Sequence, residues 1–271
     1  MSGRGPPRKG QREVKPLHGA AQQGFAADAA AYARGRPEYP PELLPWLRER
    51  LRMRPGTTAV DLGAGTGKFT RLLVQTGARV QAIEPVDAMR AQLIRTLPEV
   101  AAIAGVAQSI PLPTASADAV LCAQAFHWFA VPEALSEIHR VLRPGGALGL
   151  VWNVRDESCE WVAALSRIIA PYEGDTPRFD SGEWRRAFAG GLFSELEETS
   201  VRHEHAGPPR EVIVDRVLSV SFIAALAAPD KERVAAQLAN LIDTDPALRG
   251  RAQVAFPYRT VAYRTLRVPA S

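Results

Sequence analysis

A short apolar run that ends in an acidic residue and three glycines constrains the fold of this chain more than any other feature. Residues 59–67 read Ala-Val-Asp-Leu-Gly-Ala-Gly-Thr-Gly, and residues 68–75 continue with a composition typical of a helix. This order predicts a buried strand, then a turn free of side chains, then a helix. In an open parallel sheet, such a turn lies beyond the carboxyl end of its strand, where ligands bind.

The spacing of the three glycines argues against a dinucleotide ligand. A dinucleotide turn needs Gly-x-Gly-x-x-Gly, because the last glycine lets the helix pack closely on the strand beside a pyrophosphate. Here Lys68 stands in the place of that last glycine. Glu84 ends the next apolar run, 17 residues after Gly67. A carboxylate about 20 residues after the glycines is also found in dinucleotide sites, so Glu84 does not distinguish the two kinds of ligand. The turn therefore predicts a ligand without a pyrophosphate.

Apolar runs alternate with helical stretches through the first part of the chain, which indicates an α/β fold with a parallel sheet covered on both faces. The predicted strands lie near 57–63, 79–84, 100–104, 117–124 and 147–153, and breaker residues 143–146 end the helix before the last of these. After residue 153, we predict helices near 158–171, 182–189, 208–224 and 229–242. Two further strands are predicted near 199–205 and within 254–268.

The turn resembles motif I of the class I S-adenosylmethionine-dependent methyltransferases, and the likeness continues to about Asn153. The resemblance implies a Rossmann-like sheet of seven mostly parallel strands with helices on both faces. The last strand would be antiparallel and inserted between earlier strands. It also implies one domain over residues 20–271, with core motifs in 57–153 and a helical lid insertion at about 206–250.

The same resemblance implies a set of residues that bind S-adenosyl-L-methionine. Asp61 would stand at the tip of the first strand, and Glu84 would accept hydrogen bonds from both ribose hydroxyls. Met89 would cover the adenine face, although it also suits the core of the second crossover helix. Gln108 replaces a common acidic residue, and its amide can still pair with adenine unless it is a solvated loop residue. The backbone around the cofactor would be supplied by Gly63, Ala64, Gly65, Gly67 and Ala107.

A segment before the first strand also resembles part of this family. It reads Phe-x6-Tyr-x3-Arg-Pro-x-Tyr-Pro and begins at Phe25. Tyr32 and Arg36 would face the carboxylate of the cofactor's methionine, since a guanidinium fork suits a carboxylate. Alternatively, Tyr32 and Tyr39 cap the hydrophobic edge of the sheet.

Residues 124–129, Gln-Ala-Phe-His-Trp-Phe, end the fourth predicted strand and resemble the small-molecule branch that includes trans-aconitate methyltransferase-like proteins. The Asn-Pro-Pro-Tyr tetrad typical of base-amino methyltransferases is absent there. Gln124 would lie at the cofactor, and His127 is the best available general base for a hydroxyl acceptor. His127 could instead only pack, and a carboxylate acceptor needs no base. We therefore predict methyl transfer to a small molecule at a carboxylate or hydroxyl oxygen.

The composition of the chain bears on its location, its metal content and its partners. The chain has no apolar stretch near 20 residues and no apolar run at its beginning, so we expect a cytoplasmic protein without membrane contact. Two cysteines and no Cys/His cluster predict no metal. Residues 1–19 have a net charge of +4, equal to that of the whole chain, and are predicted to be a disordered basic tail. Nucleic acid is therefore not an expected partner, and the sequence does not predict the oligomeric state. A methyltransferase acting on nucleic acid or protein, a non-catalytic cofactor-binding module and a nicotinamide oxidoreductase are the alternatives.

Overall fold

The computed structural model describes residues 35–269 of the chain. Two expectations, the disordered tail 1–19 and the role of Tyr32, fall outside these residues. Within the described part, seven strands form one sheet in the order β3-β2-β1-β4-β5-β7-β6. The strands are β1 Thr58–Leu62, β2 Arg79–Ile83, β3 Ala101–Ile103, β4 Ala117–Ala123, β5 Leu142–Arg155, β6 Glu197–Gly207 and β7 Val254–Leu266.

The direction of the strands confirms the predicted Rossmann-like sheet. Strands β1 to β5 pair in parallel, whereas β7 is antiparallel to both of its neighbours, β5 and β6. The last strand in the sequence is thus inserted between two earlier ones. Because neighbouring strands β1 to β5 run the same way, their carboxyl ends meet at one edge of the sheet.

Helices cover both faces of the sheet. They are α1 Leu43–Pro45, α2 Lys68–Val74, α3 Asp87–Thr96, α4 Pro132–Val141, α5 Glu160–Ile169, α6 Arg216–Leu218, α7 Ser221–Ala224 and α8 Ala228–Thr244. Tighter 3-10 turns lie at Phe126–Trp128, Ala170–Tyr172 and Glu183–Gly190, and wider π-helical turns lie at Trp46–Arg50 and Arg210–Asp215. None of the helices in residues 35–269 has both the length and the apolar composition of a membrane span.

Strand β5 begins earlier than its sequence indicates. The breaker residues 143–146 were expected to form a turn before the strand, but the strand begins at Leu142, which pairs with Ala117. The register then shifts, so that Ala119 pairs with Ala147. Gly145 takes the left-handed φ of 73° inside this irregular stretch. The glycines therefore bend a strand that is already paired, as in a β-bulge.

Alternate residues of the central strands pack into two different hydrophobic clusters. In β4, Val120 and Cys122 belong to a cluster with α4, whereas Ala119 and Leu121 belong to a cluster with α2 on the other face. A strand buried on both faces has no polar side, which explains the continuous apolar run from Ala119 to Ala123.

A third cluster lies apart from the sheet centre. It joins α5, α7, α8 and the π-helical turn to the first half of β7, with Trp161, Val212, Phe222, Leu238 and Phe256 among its members. The segment 210–244 therefore packs in a hydrophobic cluster of its own, together with α5 and the first half of β7.

Candidate functional site

A cavity of about 290 Å³ opens at the carboxyl ends of β1, β2 and β4. Its walls come from the loops that follow these strands and from the segment before α1. The structure places ten of the predicted cofactor-binding residues in its lining: Arg36, Asp61, Gly63, Ala64, Gly65, Glu84, Met89, Ala107, Gln108 and Gln124. The volume is close to the lower end of about 300–1,000 Å³ that is usual for ligand pockets.

The glycine turn is held against the neighbouring strand. The amides of Gly63 and Ala64 both donate to the carbonyl of Ile83, at 2.8 and 3.1 Å. Gly63 has a φ of 76°, and a Cβ there would lie only 2.7 Å from the Cβ of Ala125. Glycine is therefore required at this position both for its backbone conformation and for the close approach of the next loop.

Glu84 uses both carboxylate oxygens to fix the loops around it. Oε2 accepts a hydrogen bond from the amide of Gly65, and Oε1 accepts one from the amide of Val86, each at 2.8 Å. Burial raises the pKa of this carboxyl, and the two amides partly oppose that shift. Each carboxylate oxygen has a second lone pair, so Glu84 can still accept from ligand hydroxyls.

Asp61 is a fully buried carboxyl at the end of β1. Oδ2 accepts a hydrogen bond from the Thr70 hydroxyl at 2.6 Å, whereas Oδ1 has no partner among the described residues. Burial and then the nearby Glu84 raise the pKa of Asp61 to about 7, against the effect of Thr70. A buried oxygen of this kind in a cavity wall suits a ligand that is positively charged or donates hydrogen bonds.

Gly67 does not reach the cavity. It precedes α2 with a φ of 87°, and a Cβ there would lie 3.0 Å from the Cγ of Leu93 in α3. The third glycine of the turn therefore allows α2 and α3 to pack closely. Met89, in contrast, is both buried and part of the cavity lining.

Gln124 has an unusual backbone at the end of β4. Its φ is 55°, in the left-handed region that residues other than glycine rarely adopt. The amide donates to Val151 at 2.8 Å, and the side-chain Nε2 donates to the carbonyl of Asn153 at 3.0 Å. Both contacts are to β5, so the paired strand holds the strained residue in the cavity wall.

A second cavity, of about 130 Å³, adjoins the first. The residues that line both are Arg36, Gln124, Trp128, Asn153 and Arg216. Aromatic rings line much of the second cavity, including those of Trp152, Phe179 and Phe222. The two cavities therefore meet at the loop after β4, beside the side chain of Gln124.

His127 lines the second cavity and not the first. The Trp152 indole donates to its Nδ1 at 3.0 Å. Burial, with a smaller effect of the Arg36 charge, lowers the pKa of His127 to about 3. The imidazole is therefore neutral near pH 7, and since Nδ1 accepts a hydrogen bond, the proton is on Nε2. In that tautomer Nε2 donates a hydrogen bond and does not accept a proton.

Several residues of the cavity walls are not among the predicted cofactor-binding and catalytic residues. Asn153 donates from Nδ2 to the carbonyl of Glu38 and accepts from the Thr260 hydroxyl, so it joins the first segment to β5 and β7. Arg155 and Arg216 line the second cavity. Asn153 was visible only as the end of the resemblance, and Arg155 had no motif around it. Arg216 was predicted, with Arg210 and Lys231 of the segment 206–250, either to receive an anion or to face water. No group of three or more potential metal ligands of the His, Cys, Asp and Glu types occurs in the described part of the chain.

Comparisons with known proteins identify relatives of this chain. The family model described as "Methyltransferase domain" matches residues 60–150. An uncharacterized methyltransferase-like protein of Schizosaccharomyces pombe is 37% identical over 247 residues, which cover 91% of this chain and 96% of that protein. An uncharacterized methyltransferase of Mycobacterium tuberculosis is 40% identical over 240 residues, which cover 89% of this chain and 94% of that protein.

Among solved structures, a candidate type II methyltransferase from Anaeromyxobacter dehalogenans superposes with a TM-score of 0.61. It is 27% identical and covers 86% of this chain and 96% of its own. Both curated relatives and this structure match over nearly their whole length.

Proposed function

This chain belongs to the class I S-adenosylmethionine-dependent methyltransferase family, and we propose that it methylates an oxygen atom of a small-molecule acceptor. Its cofactor is S-adenosyl-L-methionine, which supplies an activated methyl group when bound. The narrower resemblance to trans-aconitate methyltransferase-like proteins and the cytoplasmic location remain predictions from the sequence.

The observation that supports a small acceptor is the second cavity. It is less than half the volume of the first and meets it at Gln124 and Trp128. A methyl group transferred in line from one cavity to the other would pass this boundary. Because the protein's main contribution to such a displacement is to hold the two reactants in contact, two adjoining cavities suit the reaction. We assign the first cavity to the cofactor and the second to the acceptor.

The lining of the first cavity fits the cofactor. The unpartnered Oδ1 of Asp61 suits its positive charge, and the remaining lone pairs of Glu84 suit the ribose hydroxyls. Gly63 and Gly65 leave the turn without side chains. Arg36 lines the same cavity and suits the carboxylate of the cofactor.

The state of His127 favours a carboxylate oxygen as the acceptor atom. A hydroxyl acceptor has to lose a proton during the transfer and benefits from a general base with a pKa near the working pH. His127 has a pKa of about 3 and donates from Nε2, so it suits hydrogen bonding to an anionic acceptor better than proton abstraction. A carboxylate is already ionised near neutral pH and needs no base.

We further propose that the segment from about 206 to 250 acts as a lid over the acceptor. Arg216 of α6 and Ser221 of α7 line the second cavity. Arg36 donates from Nη2 to the carbonyl of Ser219 at 3.0 Å, which links this segment to the first cavity. A wall supplied by a separate segment can open to admit the acceptor and then exclude water.

A labelled-cofactor assay tests the proposal. The full-length protein is incubated with methyl-labelled S-adenosylmethionine and a fractionated metabolite extract, and products are separated by mass. We expect S-adenosylhomocysteine and a labelled small molecule that releases methanol in mild alkali, as a methyl ester does. A labelled product that survives alkali as an N-methyl compound would refute oxygen transfer. Label confined to protein or nucleic acid would refute the small-molecule acceptor.

A further inference from the structure

We propose that Arg155 and Arg216 form an anion-recognition subsite in the second cavity, specific for a carboxylate of the acceptor. This inference rests on the proposed function, because it assigns that cavity to the acceptor. It implies an acceptor with two parts: an oxygen that receives the methyl group near Gln124, and a separate carboxylate bound by the two guanidinium groups.

The two arginines come from different elements and meet at this cavity. Arg155 is the last residue of β5, and it pairs in register with Tyr258 of β7. Arg216 begins α6, and its Nε donates to the Tyr258 hydroxyl at 3.1 Å. The backbone of one arginine and the side chain of the other are thus fixed by the same residue.

Arg216 is a buried cation with an unused donor. Its side chain is only 7% exposed, and its Nη1 has no hydrogen-bond partner among the described residues. A buried charged group normally has a partner, since burial without one costs several kcal/mol. A carboxylate oxygen is the acceptor that a guanidinium nitrogen pairs with most readily.

The surrounding charges leave the pair uncompensated. Neither Arg155 nor Arg216 forms an ion pair with an acidic side chain within residues 35–269. Burial and then the charge of Arg216 lower the pKa of Arg155, while Tyr258 and the carboxylates of Glu157 and Asp180 oppose that effect. Both carboxylates belong to exposed residues, and Asp180 lines the second cavity without forming an ion pair with either arginine. Since arginine keeps its proton near neutral pH, an anionic ligand would balance the charges of the two guanidinium groups.

The rest of the lining limits the kind of carboxylic acid. Two further arginines line this cavity: Arg178 already pairs with Glu173, and Arg36 donates to the carbonyl of Ser219. The other walls include the rings of Trp128, Trp152 and Phe222. A small acid with an apolar or flat body would therefore fit, with its carboxylate at the arginines.

Binding of small acids to the full-length protein tests this subsite. The protein is saturated with S-adenosylhomocysteine and titrated with carboxylic acids from acetate to phenylacetate and glutarate, each beside its neutral amide. Tryptophan fluorescence reports binding, because Trp128 and Trp152 line the cavity. We expect at least one acid to bind about tenfold more tightly than its amide, as for a charge-assisted pair worth about 1.4 kcal/mol.

Arg155→Gln is the decisive variant, since Arg155 lines only the second cavity. It should weaken binding of that acid about tenfold, leave the affinity for S-adenosylhomocysteine unchanged, and be partly rescued by Arg155→Lys. Arg233→Gln is the matched control, because Arg233 is an exposed arginine of α8 that lines neither cavity. Circular dichroism verifies that each variant is folded.

The other outcomes separate a failure of the subsite from a failure of the proposed function. Equal binding of acids and amides, or an unchanged acid affinity in Arg155→Gln, would overturn the subsite while leaving the proposed function intact. Tighter binding of methyl phosphate than of any carboxylate would overturn the carboxylate class. Failure of the wild-type protein to bind S-adenosylhomocysteine would instead refute the proposed function.

Discussion

Two glycines of the turn are needed for different reasons. At Gly63 an added Cβ would collide with Ala125, whereas at Gly65 the nearest atom to an added Cβ is the Sδ of Met89, 3.8 Å away. Gly65 therefore has room for a side chain, but its φ of 57° disfavours one. Its amide also donates to Glu84. The conformation of this one residue thus connects the turn to the proposed ribose carboxylate.

A substitution at Gly65 should separate binding from folding. A valine there costs about 1–3 kcal/mol of backbone strain, and its side chain would occupy the cavity. We expect Gly65→Val to remain folded and to lose detectable binding of S-adenosylmethionine by calorimetry. Gly145→Val is the matched control, because Gly145 also has a positive φ and open space around it but lies away from the cavity. Normal cofactor binding by Gly65→Val would contradict the assignment of this turn.

Asp61 should make folding stability depend on pH. Its pKa is 3.8 in an unperturbed chain and about 7 when folded. Between these values the folded state keeps a proton that the unfolded state has released, so stability falls as pH rises through this range. The slope from one such proton is about 1.4 kcal/mol per pH unit. Asp61→Asn has no such proton and should lack this loss.

Urea denaturation from pH 4 to pH 8 measures the effect as the difference between wild type and Asp61→Asn. The variant should gain stability relative to wild type as pH rises towards 7. Asp243→Asn, which removes an exposed carboxylate, should show no comparable difference. A constant offset between wild type and Asp61→Asn across this range would show that Asp61 is ionised throughout.

His127 should not appear in the pH dependence of the reaction. Because its pKa is about 3, the imidazole does not titrate between pH 5.5 and pH 8. Loss of a general base typically costs about 10²–10⁴ in rate, whereas loss of one hydrogen-bond donor costs less. We expect His127→Gln to lower kcat about tenfold, an effect similar to the loss of a net hydrogen bond. If kcat/KM of the wild type instead rises with pH around 6.5, and this rise is absent in His127→Gln, His127 acts as a base.

At the level of elements, β7 positions the helical segment through one hydroxyl group. Tyr258 is 2% exposed, its ring stacks on Phe256, and its hydroxyl accepts the hydrogen bond from Arg216. Removing this hydroxyl leaves a buried guanidinium nitrogen unsatisfied, which costs about 1–3 kcal/mol. The aromatic packing is retained.

Tyr258→Phe should therefore raise the KM for the acceptor more than the Kd of the cofactor. Steady-state kinetics and calorimetry measure the two quantities. Tyr263→Phe is the matched control, because Tyr263 lies on the same strand and bonds Arg185 and Glu198 outside both cavities. Equal effects of the two variants on the acceptor KM would show that the change is one of general stability.

The elements differ in how much of them the sequence could predict. Strand β4 was evident because residues 119–123 form the apolar run that a strand buried on both faces needs. Helix α4 was evident because its buried face repeats at helical spacing. The start of β5 was misplaced, since glycine and proline break helices but are tolerated in a paired bulge. Arg155 was missed for another reason: local sequence does not reveal whether an arginine is buried. For the same reason the sequence left Arg216 open between binding an anion and facing water.

Over the whole molecule, the walls of the two cavities rest on different hydrophobic clusters. The two clusters on the faces of the sheet hold the cofactor side, and the third holds the segment that supplies Arg216. This segment meets the cofactor side through polar contacts, including the bond from Arg36 to Ser219. The packing within each cluster is hydrophobic, whereas the contacts between the segment 210–244 and the sheet clusters at the cavities include polar ones. We therefore expect the free energy of local opening to be lowest where this segment meets the first cavity.

Hydrogen exchange should detect this opening. We expect S-adenosylhomocysteine together with a bound acceptor acid to slow amide exchange in residues 210–224 by about tenfold, equal to about 1.4 kcal/mol of added local stability. The turn 63–67 should be protected by S-adenosylhomocysteine alone. Residues 235–244 of α8 provide an internal reference, because that end of the helix lines neither cavity. Protection of 210–224 to the same extent without the acid would show that the segment closes on the cofactor, and the lid assignment over the acceptor would be wrong.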